Sequence, residues 1–173
     1  MSGLGGDAPA ADGSRAVKVG VIADTHGLLR EQVIECFDDV DHIIHAGDVG
    51  TRDILNRLRA IAPLTAVWGN VDGSELRGAL PEVATVELAG VQVLVAHHLS
   101  AGWSAAESMT ASGADRLLVA YGHSHKPSVT TRGGVLLVNP GSAGPRRFRL
   151  PVAVAIVDIA AATLDAVIIE LKI

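Results

Sequence analysis

Short apolar runs rich in β-branched residues recur along this chain, and most of them stop at a turn built from Gly, Asp, Asn or His. Ala16 to Ala23 ends at Asp24-Thr25-His26, His42 to Ala46 at Gly47-Asp48, and Leu64 to Trp68 at Gly69-Asn70. Further on, Val91 to Ala96 ends at His97, Arg116 to Tyr121 at Gly122-His123-Ser124-His125, and Val135 to Val138 at Asn139-Pro140-Gly141-Ser142. Runs of this length, bounded by such turns, read as buried strands. Between the first three lie helical segments. Leu29, Val33, Ile34 and Phe37 share a face over Leu28 to Asp38, and Thr51 is expected to cap a second helix. Strands alternating with helices need crossover connections, hence a largely parallel central sheet.

The pattern then changes. Val83 to Leu88 and Val91 to Ala96 flank the hairpin dipeptide Ala89-Gly90, and a helix is expected over Ser104 to Ser112. Ser128 to Thr131 and Val135 to Val138 turn on Gly133-Gly134, while Val152 to Asp158 and Thr163 to Leu171 turn on Ala160 to Ala162. These last strands are expected to be largely antiparallel. The fold class predicted is α/β, a four-layer αββα sandwich of two mixed β-sheets flanked by helices.

A length of 173 residues suits one domain with a sizeable core, placed at 16–173. Residues 1–15 lack the basic start and apolar stretch of a secretory signal and are expected to be a flexible tail. The most apolar stretch, Val152 to Ile169, is broken by Asp158 and Asp165, so no membrane association is expected. A cytoplasmic location is the default expectation. Cys36 has no partner cysteine, which fits a reducing compartment, and its neighbours Val33, Ile34 and Phe37 assign it to core packing. A net charge of −5 and 3% aromatic residues weigh against nucleic acid as a partner. They do not weigh against a small phosphoester, because bound dications would make the local field positive.

The chemistry lies at the strand ends, which converge on one edge of a sheet although they are distant in sequence. Carboxylates, imidazoles and an amide oxygen together suit Mn, Fe, Zn or similar ions better than Ca, and the absence of Cys argues against a structural zinc site. Asp24, His26, Asp48, Asn70, His97, His123 and His125 are therefore expected to gather around two divalent cations. A carboxylate such as Asp48 can bridge two metals, and metals about 3.5–4 Å apart can together hold a hydroxide and polarise a phosphoryl oxygen. Gly-Asp and Gly-Asn alone are common turn dipeptides. The paired histidines of Gly-His-Ser-His, and the order of the whole set, carry the reading.

That order, Asp-Thr-His-Gly, Gly-Asp-Val, Gly-Asn-x-Asp, His, Gly-His-Ser-His-x-Pro and Asn-Pro-Gly-Ser, resembles the calcineurin-like metallophosphoesterases over about Val17 to Ile173. It resembles most closely their small bacterial and archaeal phosphodiesterase branch, which includes the eukaryotic retromer scaffold subunit. The resemblance implies the αββα sandwich and a binuclear centre, manganese first, with iron, zinc, nickel or cobalt as alternatives. It assigns Asp24, His26 and His125 to one metal and Asn70, His97 and His123 to the other, with Asp48 between them.

Two positions depart from the family pattern. Many relatives have His after the metal-binding Asn as a proton donor, and here Val71 stands there. Asp72 then lacks its usual partner, and a turn or helix-capping role is expected for it over a role behind the ligands. The second departure is His98, where Gly is common; it is a candidate acid or substrate contact, against the alternative of a surface histidine. His45 is expected to be a hydrogen-bonded structural residue and His42 a solvated one. Asn139 and Gly141 are expected to shape the floor of the site. Arg146, with Arg147 and Arg149, is a candidate phosphate clamp, or else part of a solvated basic loop.

The function expected is metal-dependent hydrolysis of small phosphodiesters by direct attack of a metal-bridging hydroxide, favouring acidic leaving groups because Val71 cannot protonate them. The rivals are a non-catalytic protein-binding scaffold, a phosphomonoesterase and a nuclease. The hairpin near Gly90 and the apolar last strands are compatible with a homo-oligomer without deciding it.

Overall fold

The computed structural model describes residues 15–173, so the tail expected at 1–15 lies, apart from Arg15, outside the described residues. The chain begins with β1 (Val17–Ile22), α1 (Glu31–Cys36), β2 (His42–His45), α2 (Arg52–Arg59), β3 (Leu64–Ala66) and α3 (Ser74–Ala79). It continues through β4 (Val83–Leu88), β5 (Val91–Ala96), α4 (Leu99–Ala111), β6 (Leu117–Ala120), β7 (Ser128–Arg132), β8 (Val135–Asn139), β9 (Ala153–Ile159) and β10 (Leu164–Glu170). Two five-stranded sheets result, ordered β10-β9-β1-β2-β3 and β4-β5-β6-β8-β7.

The period of two along the strands sets the layers. In β1, Val19 and Val21 face the other sheet, while Ile22 points the opposite way, onto the helices with Val33, Phe37, Ile54 and Leu58. Ile44 of β2 likewise faces the partner sheet and Ile43 the helices. Val91, Val93 and Val95 of β5 meet Val19 and Val157 in the central layer, while Leu94 turns outward to Leu117, Val119 and Leu137 under α4. The inner strands are thus apolar on both faces, as parallel strands covered on both sides must be. The edge strand β7 carries Thr130, Thr131 and Arg132 into solvent, which blunts edge-to-edge pairing. Helices, sheet, sheet and helix give the four-layer αββα sandwich.

The pairing corrects some local expectations. β1, β2 and β3 are parallel, as are β5, β6 and β8. The antiparallel pairs are β4 with β5, β7 with β8, and β9 with both β1 and β10. The late strands are therefore mixed, because β8 returns beside β6 and leaves β7 on the edge. α1 spans only six residues, less than Leu28 to Asp38. α4 starts at Leu99 instead of Ser104, and α3 was not anticipated. Thr51 precedes α2 with an extended backbone but makes no side-chain cap bond. Among the described residues, no helix is long and apolar enough to cross a membrane.

Candidate metal centre

The C-terminal ends of the parallel strands of both sheets meet at one edge, and their loops fasten to one another. Asp24 N–H donates to Gly47 O at 3.0 Å, and His26 N–H to Asp48 O at 2.9 Å, tying the loop after β1 to that after β2. Gly122 N–H donates to His97 O at 3.0 Å, Tyr121 N–H to Val138 O at 3.0 Å, and Ala143 N–H to Ala23 O at 3.1 Å. His123 N–H reaches the Asp24 carboxylate, Oδ2, at 3.2 Å and so joins the two sheets. Asp24, His26, Asp48, His123 and His125 all have positive φ, between 47° and 70°. Left-handed backbone costs an L-residue of order 1 kcal/mol or more, and it persists where surrounding contacts over-determine it. Five such residues in one cluster mark a place where side-chain direction outweighs local preference. Gly69 shows the same crowding, since a Cβ there would overlap the Asp48 carboxylate.

All seven residues expected at the centre are brought together. One donor atom each from Asp24, His26 and His125 lies within 4.8 Å of the others, and the same holds for Asp24, Asp48 and His97. His125 Nε2 is 3.4 Å from Asp24 Oδ1, and His26 Nε2 is 3.9 Å from both Asp24 Oδ1 and Asp48 Oδ2. His97 Nε2 is 3.2 Å from Asp48 Oδ2, 4.0 Å from Asp24 Oδ1 and 2.9 Å from Asn70 Oδ1. His123 Nδ1 lies 3.0 Å from the same Asn70 oxygen.

These distances test whether a cation fits. His97 Nδ1 faces the Ala46 carbonyl at 2.8 Å and must donate to it. Nε2 of the same ring faces the Asp48 and Asn70 oxygens, so without a cation it either holds a proton there or sets lone pair against lone pair. Asp24 Oδ1, His26 Nε2 and His125 Nδ1 are buried without any hydrogen-bond partner. Buried polar atoms are otherwise almost always paired, so Asp24 Oδ1 and His26 Nε2, 3.9 Å apart and both without a partner, call for a positive ion. The mixed carboxylate, imidazole and amide set suits a divalent transition metal.

The charges agree. Burial pushes the Asp24 carboxyl up to about 7, and the negative charge of Asp48 adds to the rise. Burial lowers His125 to about 4, with the Arg147 cation lowering it further. For His97 and Asp48 burial is the largest single influence and opposes charge, but their mutual hydrogen bond, backbone hydrogen bonds and neighbouring charges together outweigh it, raising the histidine and lowering the carboxylate. A neutral His125 and a proton-holding Asp24 are what a carboxylate–imidazole site looks like before a cation takes the proton's place.

Behind the seven lies a supporting layer. Asp72 neither caps α3, whose N-cap is Gly73, nor merely closes a turn. Its carboxylate accepts from Val49 N–H at 3.1 Å, Gly50 N–H at 2.8 Å and Gly69 N–H at 2.8 Å, pinning the loop that carries Asp48 to the loop that carries Asn70. The Gly-Asn-x-Asp spacing was the signal for it. His45 is fully buried and structural, as expected: Nδ1 accepts from Gly47 N–H at 3.2 Å, so Nε2–H donates to Thr25 Oγ1 at 2.9 Å. Thr25 passes the chain on to Val49 O at 2.8 Å, and burial lowers His45 to about 4. His42 is half-buried and bonded to Thr65 Oγ1 at 2.9 Å instead of solvated. Asn139 forms the floor, donating to Gly122 O at 2.9 Å and accepting from Gly141 N–H at 3.0 Å. Ser142 Oγ, which the sequence reading passed over, donates to Asp24 O at 3.0 Å.

His98 reaches the cluster. It offers a donor atom within 4.8 Å of those of His97 and His123, and its ring centroid is 4.1 Å from that of His123. Val71 presents only its backbone, whose N–H donates to Asp48 Oδ1 at 2.9 Å. Among the arginines expected at the clamp, Arg147 is the one whose charge is felt at Asp24, His26 and His125, whereas Arg146 is simply exposed.

Residues 17–162 match the calcineurin-like phosphoesterase superfamily domain. The chain is 33% identical over 164 residues to a probable metallophosphoesterase of Methanothermobacter thermautotrophicus, covering 88% of this chain and 91% of that one. It is 26% identical over 141 residues to a phosphodiesterase of Methanocaldococcus jannaschii, covering 72% and 83%. The structure of vacuolar protein sorting 29 from Cryptosporidium parvum superposes with a TM-score of 0.70 over 91% of this chain and 98% of that one; at 17% identity this likeness is one of fold.

Proposed function

The chain belongs to the calcineurin-like phosphoesterase superfamily, and we propose that it is a binuclear metal-dependent phosphodiesterase acting on small phosphodiesters. One observation carries this reading: Asp24 Oδ1 and His26 Nε2 lie 3.9 Å apart and buried without partners, His97 and His123 converge on Asn70 Oδ1, and Asp48 Oδ2 lies 3.9 Å from His26 Nε2 and 3.2 Å from His97 Nε2. In this reading Asp24, His26 and His125 hold one divalent ion, Asn70, His97 and His123 the other, and Asp48 is shared, with manganese the first ion to test. When bound, such ions polarise a phosphoryl oxygen and lower the pKa of water. Similarity to the M. jannaschii phosphodiesterase supports a diester substrate.

The chain's own side chains supply the rest. Thr25 donates to Val49 O and Ser142 to Asp24 O, so neither of these hydroxyls is free to form a covalent intermediate. In this reading water attacks phosphorus directly. Arg147 offsets the charge of the phosphate at the mouth. His98 is the imidazole placed to hold or give a proton to the leaving oxygen, the task Val71 cannot perform. Diesters with acidic leaving groups are favoured accordingly.

The test is hydrolysis of bis(p-nitrophenyl) phosphate and a series of less activated aryl diesters with added Mn²⁺, using wild type, Asp48→Asn and His98→Ala. Metal-dependent turnover that Asp48→Asn abolishes is expected, with His98→Ala losing most on the poorest leaving groups. No hydrolysis with any divalent ion would favour the scaffold reading. An unchanged leaving-group dependence in His98→Ala would remove the proton-donor role alone.

A further inference from the structure

Beside the metal centre the chain makes a turn that folding alone does not explain. Leu150 N–H donates to Arg147 O at 3.1 Å, closing a turn whose second residue, Phe148, has φ 53°. Positive φ at that position favours glycine, and a bulky aromatic there is strained. The same side chain is 93% exposed. Strain kept at an exposed aromatic, with no core contact in return, points to a ligand.

The turn is anchored to the centre. Its stem runs from Ser142, bonded to Asp24 O, through Ala143, bonded to Ala23 O, to Gly144, whose carbonyl accepts from Arg30 Nη2 at 3.2 Å. Across from it, Lys126 directly follows His125. Lys126, Phe148, Arg149 and Leu150 line an open groove of about 670 Å³, within the size range of small-molecule sites. Two cations stand beside an apolar floor in a chain whose net charge is −5. Arg147, in the same turn, already projects its charge onto His26 and His125. An occupant must therefore combine an anion with a flat apolar group. A phosphodiester held at the metal centre has the anion in place and two substituents leading away from it.

We propose that the groove between Lys126 and the Phe148 turn receives a planar aromatic substituent of the phosphodiester, stacked on Phe148, with Lys126 and Arg149 flanking the anion. This rests on the phosphodiesterase reading and narrows its substrate class from small diesters to those with an aromatic group. Arg149 supplies charge and Phe148 supplies the face on which the ring lies; both follow Arg147 in sequence, so one turn serves phosphate and substituent together.

The experiment uses two stable diester analogues, methyl phenylphosphonate and methyl methylphosphonate, titrated calorimetrically into the Mn²⁺-loaded protein. Wild type should bind the phenyl analogue about tenfold more tightly, in line with the usual strength of stacking on an aromatic side chain. Phe148→Ala should erase that preference and Phe148→Trp should keep it; because the side chain is exposed, neither change threatens the core. Equal binding of the two analogues by wild type, or a preference that survives Phe148→Ala, would overturn the proposal. Turnover of bis(p-nitrophenyl) phosphate is measured on the same samples. Turnover without phenyl preference removes the groove's role and leaves the phosphodiesterase reading standing. Absence of both turnover and analogue binding removes both.

Discussion

Asp72 shows how a single residue can hold a site it never touches. Its two oxygens accept three backbone N–H groups from the loops bearing Asp48 and Asn70. Asp72→Asn replaces one oxygen with an NH₂ group that must face a donor. We expect Mn²⁺ affinity, measured by titration calorimetry, to fall about 10–100-fold, the usual cost of disturbing groups that orient ligands. Unchanged affinity would show that the two loops hold their spacing without the carboxylate. The seven ligand-type residues were legible in the sequence because each ends a recognisable strand. Asp72 was singled out by the Gly-Asn-x-Asp spacing but misread, because its partners are backbone groups at positions 49, 50 and 69, which that spacing does not reveal. Arg147 could not be separated from Arg146 either, since which of two adjacent arginines faces the centre depends on the turn that follows.

At the scale of elements, the hairpin joining β4 and β5 is the clearest case of sequence dictating structure. Leu88 pairs with Val91, and Ala89 and Gly90 both have positive φ, 47° and 77°, which is a two-residue type I′ turn. Glycine suits its position and alanine does not. Ala89→Asn should stabilise the protein by about 1 kcal/mol, raising the thermal midpoint by roughly 2–4 °C for a chain of this size; a lowered midpoint would contradict the turn assignment. The helices were harder to read. α3 is six residues long, too short for a periodic stripe. α4 packs through small residues, with Gly102 and Ala106 buried against its sheet. A Cβ on Gly102 would come within 2.6 Å of Val119, so the helix approaches closely at a small residue, with Leu99 and Trp103 packing beside it. A glycine between those two apolar residues masked the first turn, and with it the fact that His98 sits at the helix N-cap beside the centre.

For the whole molecule, two sheets must bring distant strand ends together, and the sequence could not reveal that β9, besides its hairpin with β10, pairs with β1. That closure buries Asp24, Asp48, His45 and His97 together, and it sets opposing responses to pH. Asp24 is raised from 3.8 to about 7 by burial, so in the metal-free protein the native state holds a proton there that the unfolded chain has lost. Its contribution therefore weakens stability as pH rises through that window. His45 and His125, lowered from 6.5 to about 4 by burial, act in the other direction: the unfolded chain takes up protons that the native state refuses. They weaken stability as pH falls below 6.5. In the metal-free protein the two effects partly cancel. A bound cation needs Asp24 ionised, which removes its share and leaves the histidines to dominate. The metal-loaded protein should thus lose stability more steeply between pH 7 and pH 5 than protein treated with a chelator. Displacing the one proton on Asp24 weakens metal binding by about tenfold per pH unit below its pKa. The gap in thermal midpoint between Mn²⁺-loaded and chelator-treated protein should therefore be wide at pH 7 and narrow at pH 5. A gap of equal width at both would mean that the ion does not displace a proton from Asp24, and the assignment of that carboxylate to the centre would fall.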